Sequence, residues 1–270
     1  MKQPLCIQKT DSLTSLLASR HQEAEHWLPQ AFGMLKTPVY GSVDLRNAGY
    51  KIAPIDTNLY PAGFNNLSQD DETLAVKAFR HTIDCLQPNA QKILLIPENH
   101  TRNFAYFKNV RRLQQLLQQA GFDVQLGTYQ NDLTDPSMLP ILQELGLAVS
   151  VIKRQEERIS LEGFDPDLVL LNNDLSQGTP ALIQNIAQPV IPHPQLGWQT
   201  RTKSQHFSYY KDIAAAFAKH FAIDPWLIDC GYSTHDNIDL SKPEDNQQLV
   251  TASQHLAHNI QQKYQQYQIK

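Results

Sequence analysis

The chain has 270 residues, 41% of them hydrophobic and 19% charged, with a formal net charge of −4. Such a chain is expected to be soluble and globular, with a substantial core in one large α/β domain or two smaller ones. No stretch approaches the roughly 18 apolar residues of a membrane span, and MKQPLCIQKTDS lacks the apolar region of a secretory signal, so the cytoplasm is the expected compartment and no membrane partner is expected. An acidic balance with a pI of about 6.2 gives no general attraction for nucleic acid. Cys6, Cys85 and Cys230 are odd in number and widely spaced, which suits neither a disulfide framework nor a zinc motif.

In chain order, Asp11–Trp27 reads as a helix capped by Asp11, with Leu13, Leu16 and Leu17 on one side. Ser42–Leu67 follows as a polar run with short extended pieces near 42–45 and 50–55. Ser68 caps a helix reaching about Cys85, with Asp71 and Glu72 in its first turn. KILLI at Lys92–Ile96 is a buried strand, Phe104–Ala120 a helix bounded by Asn103 and Gly121, and Asp123–Leu126 a second strand, together one βαβ unit. A helix at Pro136–Leu145, a strand near Leu147–Ile152, a hairpin or strand near Arg158–Leu161 and the buried strand Asp167–Leu171 come next. A helix at Pro180–Ala187, a short strand at Pro189–Pro192, a helix opening at Lys203 behind a Thr202/Gln205 capping box, and an amphipathic helix at Pro243–Tyr267 complete the series. The alternation predicts an α/β fold, a Rossmann-like and mostly parallel sheet flanked by helices. The expected organisation is a single substrate-binding portion over 1–270, with 1–90 packed on a 91–240 core and 241–270 as a terminal helix.

Two features carry the chemistry. The run SVDLRNAGYKIAPIDTNLYPAGFNNL sets Asp44, Arg46, Lys51, Asp56, Asn58, Asn65 and Asn66 among turn-forming glycines and prolines, so its backbone is fixed while its side chains face outward toward a small zwitterionic ligand. Ligands of open parallel sheets gather at the carboxyl ends of strands, and here those ends are polar: Glu98, His100 and Arg102 after one, Asn172, Asn173 and Asp174 after another, and His193, Trp198, Arg201 and Lys203 beyond a third. Arg201, Lys203 and a helix N-terminus would converge on an anion, best a phosphate. Structural readings stand beside these: turn satisfaction for Asn172 and Asn173, a salt-bridge cluster for Glu98, His100 and Arg102, and a solvated surface charge for Lys203. His100, His193 and His206 match no metal-ligand spacing, so no metal site is assigned.

At these motifs, joined by IPENHTRN, LLNND, HPQLGWQTRTKSQHF and IDPWLID at Ile223–Asp229, the chain resembles the proteobacterial type of glutamate–cysteine ligase from about Pro38 onward. Its DLVLLNND-to-lysine succession is also similar to the pre-ATP-grasp domain of glutathione synthetases, in which Lys203 matches a lysine reaching toward ATP phosphates. The resemblance implies a cytoplasmic ligase of glutathione biosynthesis that uses ATP and Mg2+ to join L-glutamate and L-cysteine through γ-glutamyl phosphate. In it Arg46, Lys51 or Arg102 hold an α-carboxylate, Asp44, Asp56 or Glu98 an ammonium, and Asn58, Asn65 and Asn66 fix orientation. A homo-oligomer is compatible with it. Members continue past QQKYQQYQIK into an ATP-grasp region with a glycine-rich loop and acidic magnesium ligands, and neither GxGxxG nor GxxxxGK[ST] occurs in this sequence. The expectation is therefore an amino-terminal part, a truncated product or half of a split enzyme that binds amino acid weakly and does not ligate alone. The alternatives are an amino-acid-binding module or pseudoenzyme, and a different α/β transferase.

Overall fold

The computed structural model describes residues 10–33, 37–98, 103–129 and 139–269. Two compact units share the chain discontinuously: a helical unit of Met1–Lys36, Val43–Thr57 and Thr202–Lys270, and a sheet unit of Thr37–Ser42 and Asn58–Arg201. The expected boundaries at 90 and 240 do not follow this division, because 58–90 belong with the sheet and 202–240 with the terminal segments.

In the sheet unit, β3 (Lys92–Pro97), β4 (Asp123–Thr128), β5 (Val149–Val151), β8 (Leu168–Asn172) and β9 (Val190–Ile191) form one five-stranded sheet in the order β5-β4-β3-β8-β9. Every pairing is parallel. The neighbouring strands β3 and β8 are continuous apolar runs because both of their faces are covered. Ile93, Leu95, Leu168 and Leu170 point to one face, where α3 (Gln69–Leu86), α4 (Phe104–Gln119) and α5 (Leu139–Glu144) bring Phe79, Ile83, Phe107, Val110, Leu113 and Leu142. Leu94, Ile96, Val169 and Leu171 point to the other, which is covered by Tyr60, Ile152, Ile159, Leu161, Phe164 and Ile183. The antiparallel hairpin of β6 (Lys153–Gln155) and β7 (Arg158–Ser160) contributes to that cover. One close approach demands glycine: a Cβ on Gly197 would lie 2.8 Å from the carbonyl oxygen of Asp174.

The helix expected at Pro180–Ala187 is only a 3-10 turn at Ala181–Ile183. The Arg154 guanidinium takes the carbonyl oxygens of Ala181, Leu182 and Gln184 at 2.9, 3.2 and 2.8 Å, so acceptors that a helix would pair with its own amides are used by a side chain. Asn185 then turns the chain at φ 53°.

The helical unit contains α1 (Thr10–Ser19), α2 (His21–Phe32), the hairpin of β1 (Ser42–Asn47) and β2 (Ile52–Asn58) apart from its end residues Ser42 and Asn58, α6 (Lys203–Phe221) and α7 (Pro243–Tyr267). The single helix expected over Asp11–Trp27 breaks at Arg20, whose backbone leaves helical geometry at φ −116°, ψ 23°. Arg20 bonds the carbonyl oxygen of Phe221 at 3.2 Å and pairs with Glu23, while Glu23 meets His220 at 2.9 Å. Leu13, Ala218, Phe221, Ile223 and Leu227 form the core of this unit. Among the described residues no helix is long and apolar enough to cross a membrane.

Ser68 and Asp71 form a complete capping box at the start of α3, and Thr202 and Gln205 another at the start of α6. Ser68→Ala should lower stability by about 1 kcal/mol, seen as a reduced urea midpoint at unchanged slope.

Candidate functional site: the switch point of the parallel sheet

Numbered by their own sequence, the five parallel strands run 3-2-1-4-5, so the order in which successive strands are added reverses between β3 and β8. In open parallel sheets such a reversal is where ligands are met beyond the carboxyl ends; here β3 is followed by α4, and β8 runs into turns that lead to the 3-10 segment Ala181–Ile183. Pro97 of β3 pairs with Asn172 of β8, which sets Glu98 and Asn173 side by side at this point.

One hydroxyl ties the two strand ends together. Tyr106, on the first turn of α4, accepts from the Glu98 N–H at 2.8 Å and donates to the Asn172 carbonyl oxygen at 2.9 Å, with Asn172 Oδ1 3.2 Å away. Burial holds its phenol far above the ordinary range, and the Glu98 carboxylate adds to that. Tyr40 donates to the carbonyl oxygen of Leu171 on the same strand.

Buried amides then fasten the polar turn onto these ends. Asn172, 1% exposed, donates from Nδ2 to the Pro61 carbonyl oxygen at 2.9 Å. Asn109 of α4, equally buried, accepts from the Gly63 and Phe64 N–H groups at 2.8 and 2.9 Å. Gly63 sits at φ 104°, a conformation that favours glycine. Asn58 Oδ1 accepts from the Tyr60 N–H at 2.8 Å, and Asn65 and Asn66 stand exposed beyond the turn, bonded to each other at 3.1 Å. Asn173, 3% exposed, donates to the Tyr129 hydroxyl at 2.8 Å and accepts from the Leu175 N–H at 2.9 Å. Asn172 and Asn173 each bond a backbone group of a neighbouring turn, Pro61 and Leu175 respectively, as the structural reading of these two amides expects.

Charge lies near these strand ends. The Glu98 and Asp174 carboxylates both raise the Tyr106 and Tyr129 phenols, after the larger effect of burial. The Tyr60 phenol is pushed up to about 12 by burial, against the lowering effect of Arg201 and with the raising effect of Asp174. The Arg201 guanidinium stacks over Trp198 at 4.0 Å, and the Trp198 N–H bonds the Asp174 carbonyl oxygen at 3.0 Å. Tyr60 donates to the carbonyl oxygen of His193 at 3.3 Å, while His193 Nδ1 caps the following 3-10 turn through the Gln195 N–H at 3.2 Å. The sheet unit therefore gathers Glu98, Asp174, Arg201, Tyr60 and Trp198 around its switch point, two acids and one base among aromatic walls. His100 and Arg102 lie outside the described residues.

The remaining expected residues belong to the helical unit. Asp44 and Arg46 share one exposed face of β1, with Val43 and Leu45 on the other. Lys51 is half-buried: its ammonium lies over Trp226 at 4.4 Å and bonds the Asp229 carbonyl oxygen, and burial lowers its pKa. Trp226 is also stacked by Tyr50 and Tyr267. Asp56 pairs with Lys203 at 3.1 Å beside the Thr57–His206 contact of 3.0 Å. Arg201 and Lys203, expected to converge on one anion, fall in different units, and Lys203 already faces a carboxylate. A cavity of about 500 Å3 in the helical unit is lined by Leu13, Trp27, Phe32, Ile52, Ile213 and Phe217, hydrocarbon that does not suit an amino-acid zwitterion.

Tyr40, Tyr60, Tyr106 and Asn109 were not singled out by sequence reasoning. Asn109 alone carried a signal, a polar residue on the apolar face of a helix that otherwise presents Tyr106, Val110 and Leu113.

The fold is that of an open parallel α/β sheet with polar residues following the strands on either side of the point where the strand order reverses. The chain belongs to the glutamate–cysteine ligase family, GshA, which it matches over residues 14–270. It is similar to a solved structure, that of a candidate gamma-glutamylcysteine synthetase from Methylobacillus flagellatus KT, at 36% identity and a TM-score of 0.83. That likeness covers 99% of this chain and 62% of the other, so the chain spans less than two thirds of its relative's length. No curated protein matches it.

Removing the Tyr106 hydroxyl leaves a buried N–H and a buried carbonyl oxygen to find new partners. Tyr106→Phe should therefore cost about 1–3 kcal/mol in urea unfolding. Tyr60 predicts a pH effect. The folded state keeps a phenolic proton that the unfolded chain gives up near pH 10, so this contribution is intact below about pH 10 and is lost as pH rises toward about 12. Tyr60→Phe should make the urea midpoint fall less steeply over that interval.

Proposed function

We propose that the sheet unit is the amino-acid-recognising portion of an ATP-dependent glutamate–cysteine ligase. In that reaction a γ-carboxylate oxygen of L-glutamate attacks the terminal phosphorus of ATP and the bond to ADP breaks. The cysteine amine nitrogen then attacks the acyl carbon, the bond to phosphate breaks, and the nitrogen loses a proton, giving γ-glutamylcysteine. Binding precedes this chemistry, and the residues of the crevice suit it. Glu98 and Asp174 supply acceptors for an ammonium, and Arg201, preset by its stack on Trp198, supplies a planar fork for a carboxylate. The Tyr106 and Asn172 contacts hold the floor rigid, so little ordering is left to be completed by the ligand.

The observation that supports the reading best is membership of the family, together with Glu98 and Asp174 following the strands on either side of the switch point and Arg201 acting with Asp174 on the Tyr60 phenol. ATP phosphates require cations of their own, for which Lys203 at the N-terminus of α6 is the candidate within the helical unit; its Asp56 partner would have to yield. Among the described residues no group of three or more His, Cys, Asp or Glu side chains converges, so Mg2+ is given no ligands here and no step is routed through it.

Calorimetric titration of the chain with L-glutamate tests the proposal. Saturable binding is expected, weakened in Arg201→Ala by the loss of a charge-assisted bond, about 1.5–3 kcal/mol or roughly 10- to 150-fold in Kd. Absence of binding at millimolar glutamate, or an Arg201→Ala variant that binds as tightly as the parent, would remove the support for it.

A further inference from the structure

The helical unit holds a second polar cavity, of about 440 Å3, between α7, α6 and the Ile228–Tyr232 segment. Two charged side chains on its wall are chemically incomplete. Asp229 gives its backbone carbonyl oxygen to Lys51, but no hydrogen bond or ion pair reaches its carboxylate among the described residues, and Oδ1 is sealed from solvent with no partner. The other oxygen, equally without a donor but not sealed, is the atom left for a ligand. Lys51 feels the charge of Asp229, yet its own hydrogen bond goes to the carbonyl. On the same cavity Lys211, exposed on α6, has no ion-pair partner among the described residues, and it does not pair with Asp229. Lys263 differs, because Asp224 satisfies it at 2.8 Å.

A half-buried carboxylate without a donor is costly, and an acid and a base on one wall would ordinarily pair if they could reach. They do not reach each other. A molecule with an ammonium at one end and a carboxylate at the other would satisfy both, with the amide of Gln266 available beside them. We propose that this cavity is a second ligand site, separate from the crevice of the sheet unit, which takes a small zwitterion of the α-amino-acid class with its ammonium on Asp229 and its carboxylate on Lys211. The site does not depend on the ligase reading, since no residue of the sheet unit takes part in it.

The test is a titration of the 15N-labelled chain, followed at the Trp226 indole and the Gly231 amide, with L-glutamate, with glutarate, which lacks the ammonium, and with n-butylamine, which lacks the carboxylate. Saturable shifts at both signals are expected with L-glutamate. Glutarate and n-butylamine should bind at least about tenfold more weakly, and Asp229→Asn and the surface variant Lys211→Met should weaken L-glutamate by a similar factor. Shifts confined to the sheet unit, glutarate or n-butylamine binding as tightly as L-glutamate, or Lys211→Met binding unchanged would each overturn the proposal. Should Asp229→Asn lower the unfolding midpoint, Lys211→Met, on an exposed helix position, decides alone.

Discussion

The hydroxyl of Tyr106 joins the ends of β3 and β8, the two strands at which the strand order of the sheet reverses. A buried phenol that accepts from one strand and donates to the next has no rotational freedom left, and the backbone groups it satisfies would otherwise be stranded in an apolar layer. Once Glu98 and Asn172 are fixed, their neighbours follow. Asn172 reaches Pro61, Asn109 takes the next two amides of the same turn, and Asn173 reaches Tyr129, so a run rich in glycine and proline acquires one geometry. The turn is rigid because its backbone donors and acceptors are used from outside it.

Electrostatics divides the labour between the units. In the sheet unit, acids and a guanidinium remain near the phenols whose ionisation they perturb. In the helical unit, several charges are drawn into packing. Lys51 is committed to Trp226 and a carbonyl, and Asp224 to Lys263, the Tyr267 hydroxyl and a backbone amide. Asp224 remains below the usual carboxylate range because these bonds together outweigh the largest single influence, burial, which acts in the opposite direction.

Much of this was legible in the residues. The continuous apolar runs, the Asn103 and Ser68 caps and the Thr202/Gln205 box located strands and helix starts, because those signals are local and their physical cause lies within a few residues. The 3-10 turn at Ala181–Ile183 was not legible, since it depends on Arg154, 27 residues earlier in the chain. Strand-end polarity pointed to Glu98, Asn173, Asp174 and Arg201, and the register places the first two at adjacent ends of β3 and β8, while Arg201 lies beyond β9. The run Ser42–Leu67 reads as one polar segment, but Val43–Thr57 and Asn58 onward belong to different units, a division set by long-range contacts. The packing of Lys51 was not legible for a related reason: its aromatic partner Trp226 is remote in sequence, and a lysine amid glycines and amides gives no sign of being stacked.

Family membership and a polar switch point support an amino-acid ligase reading in which recognition is the task of the sheet unit. The most direct test is crystallographic, by difference density from crystals of the chain grown with L-glutamate. The account predicts a ligand beyond the carboxyl ends of β3 and β8, its ammonium within hydrogen-bond reach of Glu98 or Asp174 and its α-carboxylate on Arg201. A glutamate bound elsewhere, with the crevice between these strand ends filled only by water, would contradict it.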